Sequence, residues 1–233
     1  MKNSIIISLI CSFVLCGCSN TNTHYIGEQY LDAKYVNNPL GEEQAPDFDP
    51  LIRYDAFDCV TFVETALANG DINKLNKIRY KNGEIDFVKR NHFIESDWLT
   101  NNNSIVKNVS KTYGKTKTRI ITIDKKNWFK KNFNLDTNFK KEQIKLEYIP
   151  YEFLSKTNIQ KPLIVLFISD GNGFYKKIGT DLGITHMGFL LPGNILRHAS
   201  RNLGCVTDTD FIEYVSKKKK DTHNIGIALV EIK

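Results

Sequence analysis

Apolar residues recur along this chain in two periods, and the change from one to the other marks its elements. Over residues 58–69, Val60, Phe62, Val63, Ala66 and Leu67 fall on one helical stripe, and Gly70 is placed to end it. A second stripe, Phe93, Ile94, Trp98 and Leu99, predicts a helix within 91–101. Short apolar runs at 119–123, 163–169, 186–191, 195–199 and 225–232 predict strands. Arg79-Tyr80-Lys81-Asn82-Gly83-Glu84 predicts a strand entering a hairpin with Asn-Gly as its turn. Short helices are expected over 29–35 and over 208–216, the second capped by Asp208. An early helix followed by C-terminal strands predicts an α+β fold with a mainly antiparallel sheet, in one domain over 28–233.

Before that domain the pattern is that of an exported protein. Lys2 gives a positive start, and residues 5–15 form an apolar run too short to span a bilayer. It ends in Leu15-Cys16-Gly17-Cys18, which resembles the lipobox of bacterial lipoproteins. The resemblance implies a signal peptide at 1–17 and lipidation of Cys18, whose acyl chains would hold a polar tether, 18–27, at a membrane. Ser19 after that cysteine resembles outer-membrane sorting, so a periplasm-facing site in the cell envelope is expected, at the outer membrane rather than the inner.

Composition adds little: 41% hydrophobic and 11% aromatic residues fit a globular domain. The net charge of +6 comes with no recognised nucleic-acid module, so 217–220 and the scattered lysines read as solvated surface and no nucleic-acid partner is expected. No Cys or His cluster has zinc-ligand spacing, and neither metal nor cofactor is expected. With Cys11 and Cys16 lost and Cys18 lipidated, Cys59 and Cys205 remain, as one disulfide or as thiols of which one is catalytic.

Three segments carry candidate chemistry. Cys59 opens the first helix behind Asp58, where free N–H groups and the helix dipole favour a thiolate; it reads equally as a small buried hydrophobe. His186 opens one apolar strand and His198 lies on the next, beyond a Pro192-Gly193-Asn194 turn. Histidines on adjacent strands can lie side by side, and a thiol, a base and an orienting group are the minimum for thiol acyl transfer.

Helix-borne Asp-Cys followed by strand-borne His and a polar group on the next strand resembles the NlpC-type papain-like cell-wall amidases. Phe57-Asp58-Cys59-Val60-Thr61-Phe62-Val63-Glu64, Ile78-Arg79-Tyr80 with Gly83, Arg90-Asn91-His92-Phe93 with Trp98 and Asn101-Asn102, Tyr148-Ile149-Pro150, His186-Met187-Gly188 and Arg197-His198-Ala199-Ser200 resemble, in order, the N-acetylmuramoyl-L-alanine amidase-like branch. The resemblance implies hydrolysis of the amide between N-acetylmuramic acid and L-alanine through a thioester, on soluble anhydro-muropeptides, by a monomer. It assigns Cys59 as nucleophile, His186 as base then acid, His198 as the orienting residue and the Cys59 N–H as an oxyanion donor. Leu31-Asp32-Ala33-Lys34-Tyr35 departs from the branch in lacking its Gly and Pro but keeps Tyr35, within reach of the site. Arg90, His92, Trp98 and Asn102 are candidates to line a substrate cleft, with a helix–sheet junction the other reading for His92 and Trp98; Arg197 meets either a substrate carboxylate or a neighbouring acid. Competing readings are a γ-D-glutamyl-diamino-acid endopeptidase, which usually carries Cys-Ser-Gly where Cys59-Val60-Thr61 stands, and a non-catalytic wall-binding lipoprotein.

Overall fold

The computed structural model describes residues 25–154, 159–171 and 173–233; the expected signal peptide and Cys18 lie outside the described residues. Its centre is a strand, β6 (Leu163–Ser169), in which every residue is buried. Alternation explains this: Ile164, Leu166 and Ile168 enter one apolar cluster, while Leu163, Val165 and Phe167 enter another. The sheet therefore needs cover on both faces. Helix α1 (Cys59–Ala68) supplies it on one side with Phe62, Val63, Ala66 and Leu67. An amphipathic helix near the C-terminus, Phe211–Lys218, supplies it on the other with Phe211 and Val215.

Around β6 the strands run in the order β2 (Ala56–Phe57), β1 (Lys34–Tyr35), β9 (Cys205–Asp210), β8 (Ile195–Ser200), β7 (Ile184–Leu191), β6, β10 (Asn224–Ile232), β5 (Glu142–Pro150), β4 (Lys117–Ile123). All pairs are antiparallel except β1 with β2. On its far side β10 is shared, meeting β5 at Gly226 and Ile227 and β3 (Val106–Asn108) from Val230 onward. The α+β class with a mainly antiparallel sheet and helix α1 packed on it is the observed architecture. Further helices lie at Ile72–Arg79 (α2), Leu99–Asn101 (α3, continuing a π-helical turn at Ile94–Trp98), Ser110–Tyr113 (α4), Lys125–Phe133 (α5) and Phe174–Ile178 (α6); the C-terminal helix is α7.

Three expectations are corrected. Residues 29–35 do not form a helix: a single 3₁₀ turn at Glu28–Tyr30 stops where Asp32 takes the left-handed region (φ 67°), and the chain continues as β1. Residues 79–84 are not a hairpin strand, because Leu75 and Ile78 are buried at helical spacing and extend α2 through Arg79. Asn82 and Gly83 still make the turn, both at positive φ, and only a single bridge joins Tyr80 to Arg90. The last helix starts at Phe211, and Asp210 caps it by accepting the Glu213 N–H, whereas Asp208 lies in β9.

Gly188 fixes how closely β8 can approach β7. A Cβ there would stand 2.8 Å from both the Arg197 carbonyl oxygen and the His198 Cβ. Replacing Gly188 with Ala is expected to cost about 1–3 kcal/mol of unfolding free energy, as for other overpacked sites. A urea unfolding midpoint equal to that of the parent would show instead that β8 can step aside.

Candidate active site

Sequence order sets out the site from the start of α1. The parallel pair β1–β2 delivers Asp58, which takes an extended conformation and caps the helix. Its Oδ1 accepts the N–H groups of Val60 at 3.1 Å and Thr61 at 2.8 Å, and the Thr61 hydroxyl accepts the Asp58 N–H at 2.9 Å. Cys59 is thereby held in the first helical turn, half-buried, with its sulfur against the backbone N–H groups of Met187, Cys59 and Val60.

Those donors do not win. Burial, and then the Asp58 carboxylate, push the Cys59 thiol up to about 12, outweighing the three N–H groups that pull it down. The expectation that a helix start makes this cysteine a thiolate is thus reversed, first by burial and then by the residue that caps the helix. Cys59 and Cys205 are both free thiols, so no disulfide links them.

The histidines come from the sheet face opposite α1. On β7, Met187, Phe189 and Leu191 pack in the α1 cluster, while Leu190 packs in the α7 cluster, so His186 and Gly188 share the α7 face. A bulge re-aims His186: Phe167 pairs with His186 but Ile168 pairs with Ile184, leaving Thr185 as the extra residue. On β8, Leu196 marks the same face for His198. His186 Nε2 lies 2.7 Å from His198 Nδ1, and His198 Nε2 lies 3.5 Å from the Thr209 hydroxyl. Thr209 also reaches the Leu196 carbonyl at 3.4 Å, which orients its hydroxyl to donate there and accept from His198. Read along that chain, His186 donates from Nε2 and keeps Nδ1 free to accept a proton. Burial drives His186 well below the usual imidazole range, helped by His198 and then Lys218, and lowers His198 to about 4. The resting set is a neutral thiol beside two neutral imidazoles, a combination suited to moving one proton at a time.

A family model described as AmiA-like, N-acetylmuramoyl-L-alanine amidase-like, matches residues 25–226. The chain belongs to this family. Its activity is thereby set at the family level, as a peptidoglycan amidase. Solved structures agree on the fold. A Legionella pneumophila protein classed in a domain family of unknown function superposes with a TM-score of 0.80 at 24% identity, over 89% of this chain and 86% of its own. An N-acetylmuramoyl-L-alanine amidase from Bacteroides uniformis gives 0.68 at 22% identity, over 89% and 95%. A Bacteroides fragilis protein described as a candidate xylanase gives 0.66 at 23%, over 88% and 98%. No functionally curated protein matches the chain.

The other residues singled out in this AmiA-like chain divide. Tyr35 stays close: its phenol is pushed up by burial and then by the Cys59 and Asp58 charges. Arg90 is occupied, pairing with Glu42 (2.7 Å and 2.5 Å) and Asp47 (2.8 Å). Through Asn38, which it contacts at 3.3 Å and whose N–H donates to Asp58 Oδ2 at 3.2 Å, Arg90 braces the cap of α1. His92 packs in an aromatic box with Phe87, Trp128 and Phe129, its Nε2 2.6 Å from the Phe87 carbonyl, and burial lowers it to about 3. Arg90 and His92 border an open pocket of about 610 Å³ whose lining includes none of Cys59, His186 and His198. Trp98 is fully buried in the α1 cluster, and Asn102 is buried with its amide on the Ile78 and Trp98 carbonyls. Arg197 is buried and forms a two-pronged pair with Asp208, both bonds 2.8 Å, besides reaching the Tyr25 and Ile26 carbonyls. Neither Trp98, Asn102 nor Arg197 is presented to a cleft.

Thr209, Tyr214 and Lys218 were not singled out by the sequence. Tyr214 packs on His198 with ring centroids 5.0 Å apart, on His186 at 6.0 Å and on Phe167 at 5.0 Å. The available signal was the helical spacing of Phe211, Tyr214, Val215 and Lys218, which puts the last two polar-tipped residues one turn apart on the sheet-facing side.

A thiol held near 12 predicts a particular reactivity. Alkylation of Cys59 by iodoacetamide, followed by peptide mass spectrometry with Cys205 as internal comparison, is expected to quicken about tenfold per pH unit from pH 6 to 9 without levelling, because only thiolate reacts. A plateau below pH 7 would reveal a preformed thiolate–imidazolium pair and refute the neutral resting state.

Proposed function

We propose that the chain is a cysteine amidohydrolase of NlpC type that cleaves the amide between the lactyl carbonyl of N-acetylmuramic acid and L-alanine, on soluble anhydro-muropeptides. The observation that carries this reading is the 2.7 Å contact between His186 and His198, with the Cys59 sulfur held against the N–H of Met187, the residue that follows His186. The chain order, helix-borne Cys before strand-borne His and His, supports the NlpC-type placement.

In this mechanism His186 Nδ1 takes the thiol proton as the sulfur attacks the lactyl carbonyl carbon. The Cys59 N–H, at the helix start, steadies the oxygen of the tetrahedral adduct. His186, now a cation held by His198 Nδ1, gives its proton to the alanine nitrogen as the C–N bond breaks. A thioester remains. Water, losing a proton to His186, then attacks the thioester; the C–S bond breaks, His186 returns that proton to the sulfur, and the lactyl carboxylic acid leaves and gives its own proton to solvent. Because Cys59 begins as a thiol, attack and proton transfer proceed together.

The proposal extends to placement. Residues 1–17 serve as a signal peptide and Cys18 carries the lipid, so that the single domain 28–233 acts as a monomer on muropeptides from a periplasm-facing anchor, at the outer membrane in preference to the inner. The lipobox-like Leu15-Cys16-Gly17-Cys18 supports this part.

Mass spectrometry of products from a disaccharide-tetrapeptide tests the activity. Release of intact stem peptide with a free L-alanine amino group is expected, abolished by Cys59→Ala and slowed about a hundredfold or more by His198→Ala. Cleavage after D-glutamate would make it the endopeptidase instead, and undiminished turnover by Cys59→Ala would remove the thiol mechanism.

A further inference from the structure

The lysine run that closes α7 is not uniform. Lys217, Lys219 and Lys220 are exposed, but Lys218 is half-buried, with its ammonium 5.5 Å from the centre of the Tyr214 ring. Tyr214 lies on both imidazoles of the site, and the two side chains wall an open pocket of about 450 Å³ that begins at His198. The acids around this pocket are already engaged. Asp210 accepts the Glu213 N–H at 2.7 Å, Glu213 pairs with Lys217 at 2.6 Å, and Asp221 accepts from the His223 N–H at 3.0 Å and the Asn224 amide at 2.8 Å. Among the described residues lining the pocket, Lys218 is the charged side chain left with neither an ion pair nor a hydrogen bond. Burial draws its ammonium below the usual lysine range, while Asp221 and the Cys59 sulfur draw it back, which puts Lys218 within the electrostatic field of the nucleophile. A half-buried cation without a partner leaves desolvation uncompensated until an anion arrives.

What anion this is follows from the substrate, on the amidase reading given above. The muramic side carries hydroxyls and an acetamide but no charge while its lactyl carboxyl is tied up in the amide. Every carboxylate lies on the peptide, and the first belongs to the D-glutamyl residue after L-alanine. We propose that Lys218, steadied against Tyr214, is the receptor for a peptide carboxylate beside the scissile amide and makes the site selective for acidic over amidated stem peptides.

The test compares MurNAc-L-Ala-D-Glu with the same compound amidated at both carboxyls. The wild-type preference for the acid, as a ratio of kcat/KM values, is expected to shrink roughly ten- to hundredfold in Lys218→Gln, the worth of a charge-assisted hydrogen bond, and to return in Lys218→Arg. Calorimetric binding of both compounds to Cys59→Ala, with and without Lys218→Gln, gives the same comparison without turnover. A preference untouched by Lys218→Gln in both measurements overturns the receptor, including the case in which both substrates slow equally because Lys218 only tunes Cys59 and the imidazoles. Wild-type protein that binds the acid through Lys218 but cleaves neither compound would overturn the amidase reading and leave the receptor standing.

Discussion

The 2.7 Å bond between His186 and His198 is the contact around which the site is arranged, and it exists only because two strands come together without a side chain between them. Gly188 follows His186 by two residues on the same face, and a Cβ at 188 would stand 2.8 Å from the His198 Cβ. The bulge at Thr185 turns His186 toward that ring. A buried imidazole pair is costly to charge, so the bond is one between neutral groups, worth on the order of 1 kcal/mol in stability. Its direction comes from the far end of the chain: with the Thr209 hydroxyl donating to the Leu196 carbonyl, His198 donates to Thr209 and His186 donates from Nε2, leaving a lone pair at Nδ1.

Against this pair the thiol is set in an unexpected state. Burial, and then Asp58, push the thiol up to about 12, so it rests protonated at neutral pH. The helix start was the argument for a thiolate, and the same helix start requires a cap. Asp58 satisfies three groups of the first turn and stands beside the sulfur as an anion, so local stability and thiol acidity compete at one residue. Burial and the cap together outweigh the N–H groups at the helix start.

Much of this was legible in the sequence. The α1 stripe, the strands from 163 onward and the pairing of His186 with His198 across a Pro-Gly-Asn turn were read from periodicity and turn chemistry, since each depends on neighbours in the chain. What escaped depended on distant contacts. The 29–35 segment has helical composition, but pairing of β1 with β2 and β9 overrides it. β5 is different: Gln143-Ile144-Lys145-Leu146-Glu147-Tyr148 alternates polar and apolar, a local strand signal that pairing with β4 and the start of β10 then completes. Arg90, His92, Trp98 and Asn102 looked like a cleft because polar and aromatic residues recur there; Trp98 is closed in the core, and the other three spend their hydrogen bonds internally, on the 38–47 loop and on the carbonyls of Phe87, Ile78 and Trp98. No single-residue property separates a polar group that braces a loop from one that meets a ligand.

Helix α7 shows how one amphipathic element can serve both ends of that distinction. Phe211 and Val215 close the core over β6 and β8, so the helix cannot be lost without exposing the second apolar cluster. Tyr214 and Lys218, on the flank of that same buried face, are therefore positioned by core packing rather than by loop conformation. Tyr214 packs edge-on to His198 and tilted over His186, which adds to the burial that sustains their neutrality. Lys218 adds a positive field that discourages protonation of the same rings and favours negative charge on sulfur. The two influences act in one direction: they hold the imidazoles free of protons and favour negative charge on the Cys59 sulfur. A helix whose first duty is to cover the sheet thereby sets the electrostatics of a site assembled from the other elements.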